Sequence, residues 1–154
     1  MFEIDALSKK DKAFLEKQEI PINQIELCAR ADRDREQAPA SVLLLATGQT
    51  LYLADPEKGT LESYPLSALL WVRVEEQLST GRLVAEDARG VFLLTAFTNF
   101  CKDSMLLFAK YIGVLMRDES IQVDEKDLPE AKRCPQCGNR YPDPDRRVCP
   151  HCMK

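Results

Sequence analysis

The sequence predicts a mainly β domain with α-helix, seven short strands closed by a C-terminal helix, and a small zinc ribbon after it. Three observations carry that prediction. Seven short runs of alternating or continuous apolar residues, punctuated by turn formers, lie between residues 25 and 97. One strong helical periodicity follows over 98–117. Beyond it stand Cys134-Pro135-Gln136-Cys137-Gly138 and Cys149-Pro150-His151-Cys152, two C-x2-C pairs with eleven residues between them.

A leading segment, 1–24, contains a first helix over 8–18. Ser8 is placed to cap it, Asp11 sits early in the first turn, Ala13, Phe14 and Leu15 fall toward the buried side, and Pro21 stops it. From Ile25 the period changes. Ile25, Leu27, Ala29 and Ala31 alternate with Glu26, Cys28, Arg30 and Asp32, the pattern of a half-buried strand, and a polar loop follows over 34–39. Strands over 41–47 and 50–54 join across Gly48-Gln49, with Gly48 available for a strained turn position. Asp55-Pro56-Glu57-Lys58-Gly59 is a second strong turn, leading into a fourth strand over 60–64.

Pro65-Leu66-Ser67-Ala68 interrupts the pattern. Leu70, Val72 and Val74 then alternate with Trp71, Arg73 and Glu75 in a fifth strand. Thr80-Gly81 turns the chain into a sixth over 82–86, and Ala88-Arg89-Gly90 into a seventh over 91–97. Thr98 or Asn99 is expected to cap the closing helix. Cys101, Met105, Phe108, Ile112 and Leu115 recur along one face, and Leu107, Tyr111 and Val114 widen the stripe. Both faces are expected to close the core; the alternative is that the second docks a partner. The domain therefore spans 25–117. Residues 118–131 are acidic, lack periodicity and include Pro129, which reads as a linker with an ordered piece at 121–123, and 132–154 form the ribbon.

A chain of 154 residues, 45% hydrophobic and 30% charged, accommodates one domain with a real core and a small appendage. The acidic start Met1-Phe2-Glu3-Ile4-Asp5 has no apolar run behind it and does not read as a signal peptide. The most apolar stretch, 105–116, is broken by Lys110 and is shorter than the ~18 residues of a membrane span, so a soluble, cytoplasmic chain is expected. Cys28 and Cys101 stand alone in apolar patterns and are read as buried thiols in a reducing compartment. Charge is uneven. Six basic residues against two acidic ones give 132–154 a formal +4, leaving −8 on 1–131 of the total −4.

Each C-x2-C turn folds two sulfurs toward one point, and two such turns supply the four soft, tetrahedral ligands that zinc prefers. The expected ligands of one structural Zn2+ are Cys134, Cys137, Cys149 and Cys152. Part of the local positive charge then offsets the −2 of a tetrathiolate centre. A disulfide pair and a dithiol redox centre are the rival readings, and neither accounts as well for the duplicated spacing. His151, the one histidine in the chain, is an alternative fourth ligand.

Catalytic patterns are missing from the sequence. The histidine lies inside a metal knuckle, and no Ser/His/Asp, Cys/His or Gly-rich phosphate pattern occurs, so no enzyme is expected. Asp55 and Glu57, and Glu75 and Glu76, read as solvated turn and strand-edge charges. Arg30, Arg33 and Arg35 alternate with Asp32, Asp34 and Glu36, which leaves little net attraction for an anionic lipid headgroup.

Seven consecutive hairpin strands and a closing amphipathic helix resemble a pleckstrin-homology-like domain, a barrel or sandwich plugged by its last helix. The run Leu43-Leu44-Leu45-Ala46-Thr47-Gly48-Gln49-Thr50-Leu51-Tyr52-Leu53 is similar to the second hairpin of bacterial versions of that fold. Tyr64-Pro65-Leu66, Val72-Arg73-Val74-Glu75-Glu76-Gln77 and the ribbon 134–152 come in the order of the N-terminal cytosolic region of some Firmicutes-type ABC exporters, which this chain resembles. That resemblance implies a fragment ahead of a membrane domain. It implies a non-catalytic regulatory or interaction module whose partners are the transmembrane or nucleotide-binding domains of a transporter and the inner membrane surface. The alternative is a nucleic-acid-binding zinc ribbon, favoured by its basic residues and disfavoured by the acidic remainder and by Tyr141 being its one aromatic platform.

Overall fold

Two kinds of hydrophobic periodicity become two kinds of layer. In the computed structural model, residues 1–128 are described in full, together with the backbone pairing of 132–133 and 140–141. The strands are β1 (Phe2–Glu3), β2 (Leu27–Arg33), β3 (Pro39–Ala46), β4 (Thr50–Asp55), β5 (Thr60–Pro65), β6 (Trp71–Glu76), β7 (Thr80–Asp87) and β8 (Gly90–Thr98). Helices α1 (Lys9–Lys17) and α2 (Lys102–Met116) stand before and after them. The fold is thus mainly β with a C-terminal helix, as the sequence predicts. Seven of the strands lie within a few residues of their expected positions.

The sheet is open and runs β5-β4-β3-β2-β8-β7-β6, every neighbour along that path antiparallel, with β1 added in parallel to the start of β2. Period-2 alternation does not reveal β1, since two residues carry no period. Phe2 and Ile4 nevertheless donate their N–H groups to the carbonyls of Glu26 and Cys28, each at 2.9 Å.

One apolar core gathers Leu51 and Leu53 of β4, Leu83 and Ala85 of β7, and Met105, Phe108, Ile112 and Leu115 of α2. In a flat sheet β4 and β7 would lie roughly 19 Å apart, four strand spacings, so the sheet must curl around the helix for these side chains to meet. The two halves are joined narrowly. Arg33 of β2 opposes Ala96 of β8. Beside that pair Asp32 accepts hydrogen bonds from the Thr98 N–H, at 2.8 Å, and the Thr98 hydroxyl, while the Thr95 hydroxyl donates to the Arg33 carbonyl at 2.7 Å. Leu107 and Tyr111 are buried as well, so both apolar faces of α2 serve the core.

A second core explains why β3 is apolar without alternation. Leu15 of α1 packs with Leu7, Ile20, Ile25, Cys28, Leu43 and Leu45 on the other face of β2 and β3. The half-buried reading of β2 is corrected accordingly, because α1 covers the face that carries Cys28 and Arg30. Ser8 and Asp11 form a reciprocal capping box at the start of α1. Asp11, itself buried, also receives the Arg30 guanidinium, which ties the helix to β2.

Local stops differ from expectation where side chains are already occupied. Helix α1 ends before Pro21, at a left-handed Glu19 with φ of 58° and a hydrogen bond from Ile20 N–H back to the Leu15 carbonyl. Neither Thr98 nor Asn99 supplies a side-chain cap to α2. The Thr98 hydroxyl is committed to Asp32, and a single 3-10 turn (Asn99–Cys101) leads into the helix instead. At Gly48 no left-handed conformation is needed, since the Thr47 hydroxyl accepts the N–H groups of Gln49 and Thr50; among the described residues, Gly59 and Gly90 are the glycines with positive φ.

Candidate metal centre and the segment that carries it

Cys134, Cys137, Cys149, Cys152 and His151 lie outside the described residues. The backbone on either side of the first cysteine pair is described. There β9 (Lys132–Arg133) and β10 (Arg140–Tyr141) pair antiparallel, with Arg133 opposite Arg140 and Lys132 opposite Tyr141. These strands bracket 134–139, the stretch of sequence that contains Cys134 and Cys137. The donor set itself, four thiolates in two C-x2-C pairs, has the chemistry that would suit one tetrahedral zinc.

The thiols inside the domain are of another kind. Cys28 is fully buried and its Sγ donates to the Asp5 carbonyl at 3.2 Å. Burial, followed by the nearby Glu3 and Asp5 carboxylates, pushes its pKa up to about 12, so it stays protonated and unreactive at neutral pH. Cys101 is buried in the core around α2. Among the described residues, no three His, Cys, Asp or Glu side chains gather as a metal would require.

After α2, the part of the expected linker from 118 to 128 is packed against the domain. Helix α2 ends at a left-handed Asp118, φ 59°, with the Asp118 and Glu119 N–H groups returning to the carbonyls of Leu115 and Val114. Ile121 and Val123 then lie partly buried against the main core, which places the ordered piece where the sequence suggests it. A one-turn 3-10 helix (Glu125–Asp127) follows and buries Asp127.

Four polar side chains hold this segment. The Tyr111 hydroxyl donates to Asp127 Oδ2 at 2.6 Å and accepts the Asp124 N–H at 3.0 Å. Lys110 Nζ reaches Asp124 at 2.6 Å and Asp127 at 2.7 Å. The hydrogen bond from Lys110 holds the Asp124 carboxyl below its usual range, and the same pairing holds the Lys110 ammonium above its own. On its other side the Tyr111 ring meets Phe2 edge to face, with centroids 5.2 Å apart. Strand β1, helix α2 and the segment 118–128 therefore converge on one tyrosine. Sequence reasoning assigned Tyr111 to the apolar stripe and missed its hydroxyl, since its partners lie in an aperiodic stretch with no pattern to mark them.

The arginines of the β2–β3 region do not form one basic patch. Arg30 is paired with Asp11 of α1. Arg35 forks onto Glu62 at 2.8 and 2.5 Å and also donates to the Leu93 carbonyl and the Tyr64 hydroxyl. Of the carboxylates singled out in the sequence, Glu75 and Glu76 are exposed and ion-paired. Glu75 pairs with Arg82 and Glu76 with Lys102, each at 3.4 Å. Asp55 is buried rather than solvated, because its Oδ1 caps the β4–β5 turn by accepting the N–H groups of Glu57 and Lys58.

No protein-family model matches the chain, and no curated protein or solved structure matches it either.

Proposed function

We propose that this chain is a non-catalytic, cytoplasmic regulatory or interaction module that presents a structural zinc ribbon at a fixed place beside a pleckstrin-homology-like domain. The observation that carries this reading is the packing of 118–128 by Tyr111 and Lys110, which leaves little slack between the domain and the ribbon strands. The domain assignment is supported by the order of β2 to β8, in which consecutive hairpins are joined by pairing the first strand with the last and α2 fills the curl. Zinc would be held by Cys134, Cys137, Cys149 and Cys152. Four thiolates leave no open position, so its contribution is to fold the ribbon.

Together with the resemblance of Tyr64-Pro65-Leu66 and Val72–Gln77 to exporter N-terminal regions, this points to the N-terminal part of an ABC transporter ATP-binding/permease protein. Its partners would be the transmembrane or nucleotide-binding domains, with the basic ribbon near the anionic inner membrane surface. Deletion of residues 1–154 from the full-length transporter tests the proposal. Impaired assembly, ATPase activity or transport is the expected result, and unchanged values of all three would sink it.

The six basic residues of 132–154 favour one second reading, a nucleic-acid-binding ribbon. A salt-dependent gel shift with DNA or RNA would support it, and no shift at low salt would end it.

A further inference from the structure

The open sheet has two edges, and they are not alike. At one of them β5 ends on Pro65, which has no N–H to offer a further strand. At the other, β6 opposes β7 from Trp71 to Glu76 without a register shift and contains no proline. The turn bond from the Gln77 N–H to the Thr80 carbonyl, 2.9 Å, sets the phase of that ladder. Trp71, Arg73 and Glu75 exchange bonds with β7, so the N–H and C=O groups of Val72, Val74 and Glu76 point to the open side. No strand lies there among the described residues.

Unpaired main-chain groups attract any extended chain, and the side chains beside them select one. Arg73 is exposed, lies over the Trp71 ring at 3.6 Å and makes no ion pair among the described residues. Two positions on, on the same face, Glu75 is exposed and meets Arg82 at 3.4 Å. An antiparallel strand that set a carboxylate opposite Arg73 and a cation opposite Glu75 would complement both, and β6 itself is such a strand.

We infer that a second copy of this chain adds to this edge, β6 against β6, antiparallel about a twofold axis at Val74. Outward bonds leave only from alternate residues, so the axis of a symmetric pair must pass through a residue and not between two. An axis at Arg73 or at Glu75 would set like charges face to face. At Val74 it sets Arg73 opposite Glu75 of the second copy, twice. The main chain then closes Val74 with Val74, and Val72 with Glu76 twice, for about six hydrogen bonds. The same register brings Leu70 level with Leu78 of the second copy at both ends of the pairing. Leu70 is 64% exposed and Leu78 wholly exposed, so each gains an apolar neighbour that one chain alone does not give it. The inference is independent of the metal centre and of the transporter reading.

The test uses the full 154-residue chain, zinc-loaded, in sedimentation equilibrium. A monomer–dimer equilibrium is expected, and amide exchange at Val72, Val74 and Glu76 should slow as the protein is concentrated while that at Arg73 and Glu75 stays constant. Arg73→Glu and Glu75→Arg should each weaken self-association about tenfold, since each creates two like-charged pairs across the axis. An equimolar mixture of the two variants should associate as tightly as the unaltered chain, because the copies then meet with opposite charges at both pairs. Leu78→Ser changes a side chain that lies wholly in solvent, so it should weaken the dimer and leave the monomer fold intact, and it is decisive if a charge variant fails to fold. A chain that stays monomeric at about 1 mM, a mixture of folded variants no tighter than either alone, an unaffected Leu78→Ser dimer, or slowed exchange only at other amides would each overturn the inference. None of these results bears on the zinc or the transporter-deletion experiment.

Discussion

The Tyr111 hydroxyl donates to Asp127 Oδ2 at 2.6 Å, across sixteen positions of sequence, and this bond fastens the segment after α2 to the domain. Removing the hydroxyl in Tyr111→Phe leaves the ring against Phe2 but takes one partner from a buried carboxylate and the acceptor from the Asp124 N–H. Amide hydrogen exchange over 119–128 should quicken about tenfold, the equivalent of one hydrogen bond, while the sheet keeps its protection. Unchanged exchange would show that Ile121 and Val123 hold the segment without the polar clamp.

The same clamp has a defined pH window. Asp124 has a lowered pKa, so its contribution is present above the unfolded carboxylate value of about 4 and is lost as pH falls through its folded value. Lys110 has a raised pKa, so its contribution is complete below about 10.4 and is lost only at higher pH still. Exchange protection of 119–128, corrected for intrinsic rates, should be flat from pH 5 to 9 and fall in acid. In Lys110→Met the acid-dependent loss attributable to Asp124 should shrink.

Six cysteines should divide four and two. One zinc per chain is expected by elemental analysis, lost when Cys134 and Cys149 are both changed to Ser. After chelation, four thiols should react quickly with a thiol reagent at neutral pH. Cys28, with its pKa near 12, and buried Cys101 should react only on unfolding. A metal-free native protein with paired disulfides would overturn the zinc assignment.

Gly81 is required by a neighbour rather than by its backbone angles. A Cβ placed there would lie 2.5 Å from Phe97 Cζ and 3.2 Å from the Glu75 carbonyl oxygen. Because Phe97 is fully buried, its ring has little room to move aside. Gly81→Ala should cost about 1–3 kcal/mol in urea unfolding. Gly48→Ala meets nothing closer than 3.9 Å and should be near neutral.

Asp32 links the two halves of the sheet through Thr98, beside the Arg33 and Ala96 pair. Asp32→Ala should therefore destabilise the whole domain, by about 1–3 kcal/mol, and not merely loosen one turn. Coincident transitions by fluorescence and circular dichroism would indicate that the halves still unfold together; separate transitions would show that the junction had failed.

Local signals were sufficient for most elements. The alternation from Val72 to Glu75 in β6, the turn at Asp55–Gly59, the Ser8 cap of α1, and the stripe from Cys101 to Leu115 all depend on residues close in sequence, and each appears as expected. The four expected ligands were legible as spacing alone, and they lie outside the described residues. Misreadings arose where a distant partner claimed a group. Thr98 serves Asp32 and not α2, and Cys28 and Arg30 are covered by α1; Asp55 was misread for a local reason, since it turns inward to cap its own hairpin.

The sequence by itself determined the order of the seven main strands and two helices, the charge contrast between 1–131 and 132–154, and the duplicated C-x2-C spacing, because periodicity, composition and cysteine spacing are properties of neighbouring residues. Tertiary structure decided the rest. It set the curl that brings β4 and β7 into one core, the parallel addition of β1, and the fastening of 118–128 by Tyr111. Each of these depends on which groups meet after collapse, when a buried carboxylate or hydroxyl must find a partner wherever the fold has placed one.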